Sequence, residues 1–452
     1  MQSANDAAWI GFRSDSVFSG RVHVPGSKSI AQRFVIQAAL ASGTTRLTRL
    51  PDGDDVAAAV KLVQVAGATV ERLAPAALSI TGRPPGPHRG WKAETALFAG
   101  ESGTLARLAT AVSGFCALAG HRTEVRVGGT LAHRHSRALI EALRSAGVRI
   151  ESADGATWPA LVTPIGPPNQ VVLREPRSSQ EVSALLIALA AYPDALELRV
   201  EGAIPSRPYL SMTIAALAPF GVRVTSERAA HAGIERFEVH GPLRAPSDPI
   251  AIEPDASAAA VALAAGVLSK GNVHVTGLHA DSSQGDVRIV EHLRAFGADA
   301  GFDDEGMFAR GCVTRAADVD LENEPDLAPV VAALAACAVL AGHGPSRISG
   351  LGTLPGKESS RIDVLAAGLD AIGIAARASA DALHVQRAGG AHDLSRPLDP
   401  HHDHRMAFAF ALFGLCVEGV RVATPECVAK SWPSFWTDME RAGARLERQK
   451  VG

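Results

Sequence analysis

The sequence predicts a mixed α/β (α+β) protein of two similar domains, each built from three copies of one unit of roughly 75 residues. Three observations carry this. An apolar helical stretch runs into a glycine and then a short β-like run six times, in LVQVAGATV, ALRSAGVRI, LAPFGVRVT, LRAFGADAG, LDAIGIAAR and MERAGARLE. The glycines, Gly67, Gly147, Gly221, Gly297, Gly373 and Gly443, lie 80, 74, 76, 76 and 70 residues apart. Midway between them a small-residue helix, again ending in a turn and a strand, recurs as AALASGTTRLTRL, ALAGHRTEVRV, LAAYPDALELRV, LAAGVLSKGNVHVTG, AVLAGHGPSRISG and FGLCVEGVRVAT. Finally, 452 residues with 47% hydrophobic content exceed what one core ordinarily supports and suffice for two.

Each element follows from local physics. Leucines and alanines at helical spacing stop at a glycine, which takes the left-handed C-terminal cap without steric cost, and the β-branched run after it reads as a strand. The alanine-rich helices are apolar nearly all round, so they belong inside a ring of sheets. Each unit thus holds about two helices and several strands. The domains are expected at residues 26–253 and at residues 1–25 plus 254–452, because IEPDASAAAVALAA opens the fourth unit.

Composition narrows the function classes. The start, MQSANDAAWIGFRSDSVFSG, has neither a charged leader nor a long apolar run, so a cytoplasmic protein without a membrane partner is expected. The five cysteines are scattered, with no CxxC pair, and read as buried thiols. A net charge of −3, no basic run and 5% aromatic content give nucleic acid no platform. Of 44 basic residues only seven are lysine. Three of them, in VPGSKSIAQR, GKESSR and VAKSWP, sit beside hydroxyls or acids, where a compact ammonium has uses that guanidinium lacks.

VPGSKSIAQR places Ser27, Lys28 and Ser29 in the first turn of a helix, with Arg33 one turn further. Free backbone N–H groups, hydroxyls, an ammonium and a guanidinium at one helix start suit a phosphate or carboxylate. GESGTLAR repeats the device, Gly103 and Thr104 opening a helix and Arg107 following. PRSSQEVSALL offers Ser178, Ser179 and Gln180 at a third helix start, and PSRPYL offers Ser206. Lys357 and Arg361 in GKESSR are read as i and i+4 on one helix face, a like-charge pair that makes sense where an anion is expected. HHDHR, residues 401–405, contains possible metal ligands beside an arginine.

These segments, with PDLAPVVAALA, DHRMAFA and AKSWPSF in order behind them, resemble the signatures of the enolpyruvyl transferases, most closely the branch acting on shikimate 3-phosphate. The resemblance covers nearly the whole chain. It implies two domains of three βαβαββ units each, with the active site in the interdomain cleft. The implied reaction moves the carboxyvinyl group of phosphoenolpyruvate to the 5-hydroxyl of shikimate 3-phosphate and releases phosphate, with no cofactor and no metal. Matched position by position, Asp326 would be the base, Lys28 and Glu358 would handle the proton at the methylene carbon, and Asp403 and His404 would support Arg405. Phosphoshikimate would meet Lys28, Ser29, Arg33, Ser178, Ser179, Gln180, Ser206, Asp326 and Lys357. Phosphoenolpyruvate would meet Lys28, Gly103, Arg134, Gln180, Arg361, Arg405 and Lys430. A monomer binding small anionic substrates is expected.

The chain departs from the family pattern at Glu101, His135, Thr353 and Ser360. The alternative is an enolpyruvyl transferase with another hydroxyl acceptor, such as a nucleotide or a UDP-sugar. The cell-wall branch typically carries a cysteine where this chain has Gly129, and the SSQ and S.PY segments favour phosphoshikimate.

Overall fold

A computed structural model of the protein describes residues 7–86, 89–92, 96–152, 154–168, 170–229, 233–389 and 392–450; the first six residues of the N-terminal stretch read above lie outside it. The described residues form twelve α-helices: α1 Lys28–Leu40, α2 Asp54–Val65, α3 Gly103–Phe115, α4 Arg137–Ser145, α5 Ser179–Leu189, α6 Arg207–Leu217, α7 Ala256–Leu268, α8 Ile289–Ala295, α9 Ala328–Leu340, α10 Arg361–Ala371, α11 His404–Cys416 and α12 Phe435–Arg441. Contacts divide the chain into two compact units, Gly26–Glu253 and Met1–Pro25 with Pro254–Gly452.

Odd- and even-numbered helices do different work. The odd-numbered helices are the alanine-rich phrases, and they are buried almost all round; in α7 every residue but Ser257 is buried. Alanine makes this possible, because a helix without long side chains lets its neighbours approach closely and loses no side-chain entropy on burial. The even-numbered helices bury one stripe, as α4 does with Ala138, Leu139, Ile140, Ala142 and Leu143. Each ends at one of the six periodic glycines, and all six have φ between 76° and 118°, the left-handed region where a Cβ would be strained.

In the unit Gly26–Glu253, three four-stranded sheets share one pattern: a parallel pair, then an antiparallel hairpin. Strand Val171–Arg174 runs parallel to Leu196–Glu201, which pairs antiparallel with Ile234–His240, itself paired with Arg223–Ala229. Two of these repeats are complete βαβαββ units in chain order. The first lacks an opening strand, and Ile250–Ala251 returns from the end of the unit to lie parallel to Thr44–Thr48.

The other unit follows the same plan with more borrowing. Its middle repeat is complete, whereas Ser19–Arg21 supplies the opening strand beside Asn272–Thr276. Ala7–Phe12 inserts between Val422–Ala423 and Leu446–Lys450 in the last repeat. Aromatic packing fixes that insertion: Phe12 lies 5.5 to 5.9 Å, centroid to centroid, from Phe18, Phe435 and Trp436, all buried. Among the described residues no helix is long and apolar enough to cross a membrane. The five cysteines are free, but only Cys116 is fully buried; Cys312, Cys337, Cys416 and Cys427 are half-buried.

Candidate active site

In the unit Gly26–Glu253 the sequence-predicted residues gather at the N-termini of α1, α3 and α5, whose N-caps are Ser27, Ser102 and Ser178. The aligned N–H dipoles of each helix start, with a neutral cap, leave positive potential for an anion. Lys28 opens α1 and its Nζ lies 3.0 Å from Asp55 Oδ2 in the first turn of α2. Arg33 is buried and spends its guanidinium as a brace: Nη1 donates to Ser29 O (2.8 Å), Nε to Thr213 Oγ1 (2.8 Å) and Nη2 to Tyr209 O (3.3 Å). Burial pulls its pKa down to about 10, so it stays cationic at neutral pH.

Gly103 sits where side chains converge. A Cβ there would lie 2.9 Å from Arg107 Nη1, 3.5 Å from Gln180 Oε1 and 3.8 Å from Arg134 Nη1. Arg107, read from its motif as the cation of a second anion-binding helix start, is the hub: Nη1 donates to Gly103 O (2.9 Å) and Gln180 Oε1 (3.1 Å). Burial lowers its pKa to about 10; the Glu181 carboxylate opposes that and Arg134 adds to it. Glu181 is a residue missed by sequence reasoning. Buried in α5, it accepts from Arg177 N (2.9 Å) and Ser136 Oγ (3.2 Å), fixing the loop around Arg134. Ser206 caps α6 in the left-handed region, φ 51°, and the adjacent Arg207 grips Glu235 through both guanidinium nitrogens at 2.9 and 2.8 Å. A non-glycine residue held there costs of order 1–2 kcal/mol, which that grip and its neighbours must offset.

The departures find places. Glu101 packs against Gly129, where a Cβ would meet its Oε1 at 2.3 Å, and Gly129 has φ 54°. The carboxylate therefore leans on the turn that leads to Arg134. His135 Nδ1 lies 3.5 Å from Asp154 Oδ2 at an exposed position.

The unit containing residues 254–452 assembles its predicted residues around Arg361, the first residue of α10 and only 2% exposed. Its Nε donates to Asp403 Oδ2 (2.8 Å), Nη1 to Asp326 Oδ1 (2.7 Å) and Nη2 to Glu358 Oε2 (2.6 Å). Asp326 lies in the 3-10 turn Pro325–Leu327 ahead of α9, with Lys357 Nζ at 3.5 Å and Arg405 Nη2 at 3.1 Å. Lys430 Nζ reaches Glu358 at 3.4 Å. Asp403 caps α11 by accepting from Arg405 N (3.0 Å) while holding Arg361, so one carboxylate fixes both arginines. Four cations against three carboxylates leave one net positive charge in the cluster.

Electrostatics are uneven here. Burial works against the Arg361 charge, but Asp403, Glu358 and Asp326 outweigh it and hold its pKa above the ordinary value. Lys357 goes the other way: burial lowers it, Asp326 resists, and the Arg361 charge adds to the lowering. The expectation that Lys357 and Arg361 share one helix face is corrected. Lys357 follows the 3-10 turn Leu354–Gly356 with extended ψ (−159°), and α10 begins only at Arg361, because Ser360 takes the N-cap position with its hydroxyl on Asp363 of the first turn. The two cations meet because both turn toward Asp326. Among the described residues no three His, Cys, Asp or Glu side chains gather as a metal ion would need, and in HHDHR both His401 and His402 are exposed.

Two units of three βαβαββ-type repeats are the architecture of an enolpyruvyl transferase. Similar solved structures are an EPSP synthase from Acinetobacter baumannii (TM-score 0.76, 24% identity, covering 97% of this chain and 99% of that one) and the enolpyruvyl transferase NikO from Streptomyces tendae (TM-score 0.70, 18% identity, 98% and 99%). The profile of EPSP synthase (3-phosphoshikimate 1-carboxyvinyltransferase) matches residues 13–439. Relatives named 3-phosphoshikimate 1-carboxyvinyltransferase include those of Nitrosomonas europaea, 33% identical over 92% of this chain and 94% of its own, and Methanopyrus kandleri, 35% identical over 94% and 96%. The chain belongs to the EPSP synthase family. It is a transferase of the shikimate pathway, and the family supports the phosphoshikimate reading over a nucleotide or UDP-sugar acceptor.

Proposed function

We propose that the two clusters divide one reaction, transfer of the carboxyvinyl group of phosphoenolpyruvate to the 5-hydroxyl of shikimate 3-phosphate. Asp326 takes the hydroxyl proton, the freed oxygen attacks C2 of phosphoenolpyruvate, and C3 receives a proton through Lys28 and Glu358. The tetrahedral intermediate then loses a C3 proton and expels phosphate, restoring the double bond. The observation that carries this reading is Asp326 bracketed by Arg361, Lys357 and Arg405, which favours the carboxylate form a base must have.

Ser29, Ser178, Ser179, Gln180 and Ser206 supply neutral donors suited to the phosphoshikimate, with Arg33 holding the start of α1 in shape and Lys357 near the acceptor. Arg134, Arg361, Arg405 and Lys430 supply charge for phosphoenolpyruvate, with Gly103 keeping space beside Arg107. Gly103→Ala drives a methyl group into Arg107, so the KM for phosphoenolpyruvate should rise about tenfold, equivalent to about 1.4 kcal/mol, while kcat changes less. Steady-state kinetics at saturating acceptor would show it; an unchanged KM would remove Gly103 from the site. The same reading makes the enzyme cytoplasmic and monomeric, in keeping with five free thiols.

The deciding assay is phosphate release from phosphoenolpyruvate with and without shikimate 3-phosphate. Acceptor-dependent release supports the reading. Release only with UDP-N-acetylglucosamine or a nucleotide would replace the acceptor.

A further inference from the structure

Asp286 has no part in the reaction as just described, yet it is among the best-buried carboxylates of its unit, only 4% exposed. It lies in the 3-10 turn Gly285–Arg288, which leads into α8. One oxygen, Oδ2, accepts from Ser257 Oγ; the other, Oδ1, is buried with no hydrogen-bond partner. Ser257 is the one residue of α7 that escapes full burial, and its Oγ accepts from Arg405 Nη2 at 3.2 Å. That same nitrogen lies 3.1 Å from Asp326 Oδ2. Donors and acceptors therefore run in one direction, Arg405 to Ser257 to Asp286, from the anion grip and the base into the protein interior.

The charged groups that face Asp286 come from three other elements: Arg405 on α11, Asp326 ahead of α9 and Asp255 at the N-cap of α7. Arg288, on its own turn, is taken up by Glu324 (2.8 Å) and Glu291 (2.9 Å). One cation and two carboxylates are a poor setting for a third buried negative charge. Burial raises the Asp286 carboxyl to about 7; Arg405 and the Ser257 hydrogen bond resist this, and Asp326 and Asp255 add to it. An anion on Arg405 neutralises the one cation that favours the ionised form.

We propose that Asp286 is a positioning residue that holds Arg405 through Ser257 and takes up a proton when the anionic substrate arrives. In the free protein its carboxylate completes the chain that orients Arg405. When phosphoenolpyruvate occupies Arg405, Asp286 becomes neutral by binding a solvent proton, and no second buried charge opposes the ligand. The inference rests on the assignment of Arg405 to the anion grip.

The test is phosphoenolpyruvate binding by calorimetry between pH 6 and 8, each point in two buffers of different ionisation enthalpy, for wild type, Asp286→Asn and Ser257→Ala. The ligand phosphate titrates in this range too, so the difference between proteins is the readout. Wild type should take up more protons on binding than Asp286→Asn, and its affinity should fall several-fold more from pH 6 to 8. Ser257→Ala, a change well suited to an alanine-rich helix, should flatten the profile in the same direction and remains informative if Asp286→Asn fails to fold. Parallel profiles for wild type and a folded variant overturn the proposal. Loss of binding at every pH in Arg405→Met would be expected of the grip itself; full binding there would overturn that assignment, a failure distinct from parallel profiles.

Discussion

Asp326→Asn is expected to lower kcat by about 10²–10⁴-fold while leaving the KM of both substrates within a few-fold of wild type. Asparagine keeps the shape and one oxygen for Arg361, which donates to Asp326 Oδ1 at 2.7 Å, but it cannot accept the hydroxyl proton. The substitution also removes a negative charge from among Lys357, Arg361 and Arg405, so anion binding should hold or tighten. Steady-state kinetics separates the possibilities cleanly. A KM raised tenfold at unchanged kcat would make Asp326 a binding group and leave the base to another residue.

Arg361→Met should have the largest effect on stability. Methionine fills much of the volume but removes the guanidinium that the fully buried Asp403 shares with Asp326 and Glu358, and breaking a buried pair of this kind costs about 3–5 kcal/mol. The deficit should depend on pH in a defined sense. Buried Asp403 without its guanidinium binds a proton more readily folded than unfolded, so the variant gains stability relative to wild type as pH falls from 8 toward 5. Urea unfolding at the two pH values would show the gap narrowing; a gap independent of pH would mean the loss is one of packing rather than of charge.

Sequence reading reached far where the cause is local. The six glycines announce themselves because a helix end needs a left-handed residue, and all six adopt it. Alanine-rich phrases could be assigned to buried positions because no polar face was available to meet water. The borrowed strands were not legible: Ala7–Phe12 and Ile250–Ala251 look like any short apolar run, and their partners are chosen by the sheet edges left open hundreds of residues away. In the site, motif phrases pointed to the residues that surround Arg361, but not to how they are joined. The Lys357–Arg361 spacing suggested one helix, but Ser360 caps α10 and leaves Lys357 outside it. Asp286, Ser257 and Glu181 carried no signal, since a single acid or hydroxyl in a plain helical or turn sequence looks the same whether solvated or buried. Arg33 illustrates the reverse: its motif is conspicuous, yet tertiary packing alone shows its guanidinium bracing α1 to α6.

The capping residues of the inner helices carry a further consequence. Where one unit begins α1, α3 and α5 with serine, the other begins α7 and α11 with Asp255 and Asp403 and places Asp326 just ahead of α9. A common scaffold has thus been tuned into two unlike chemical instruments. Serine leaves the field of the helix to the visitor, giving a site made largely of oriented dipoles. Aspartate quenches that field and must import arginine and lysine to restore it, giving a medium dense in exchangeable charge, where moving a proton is cheap.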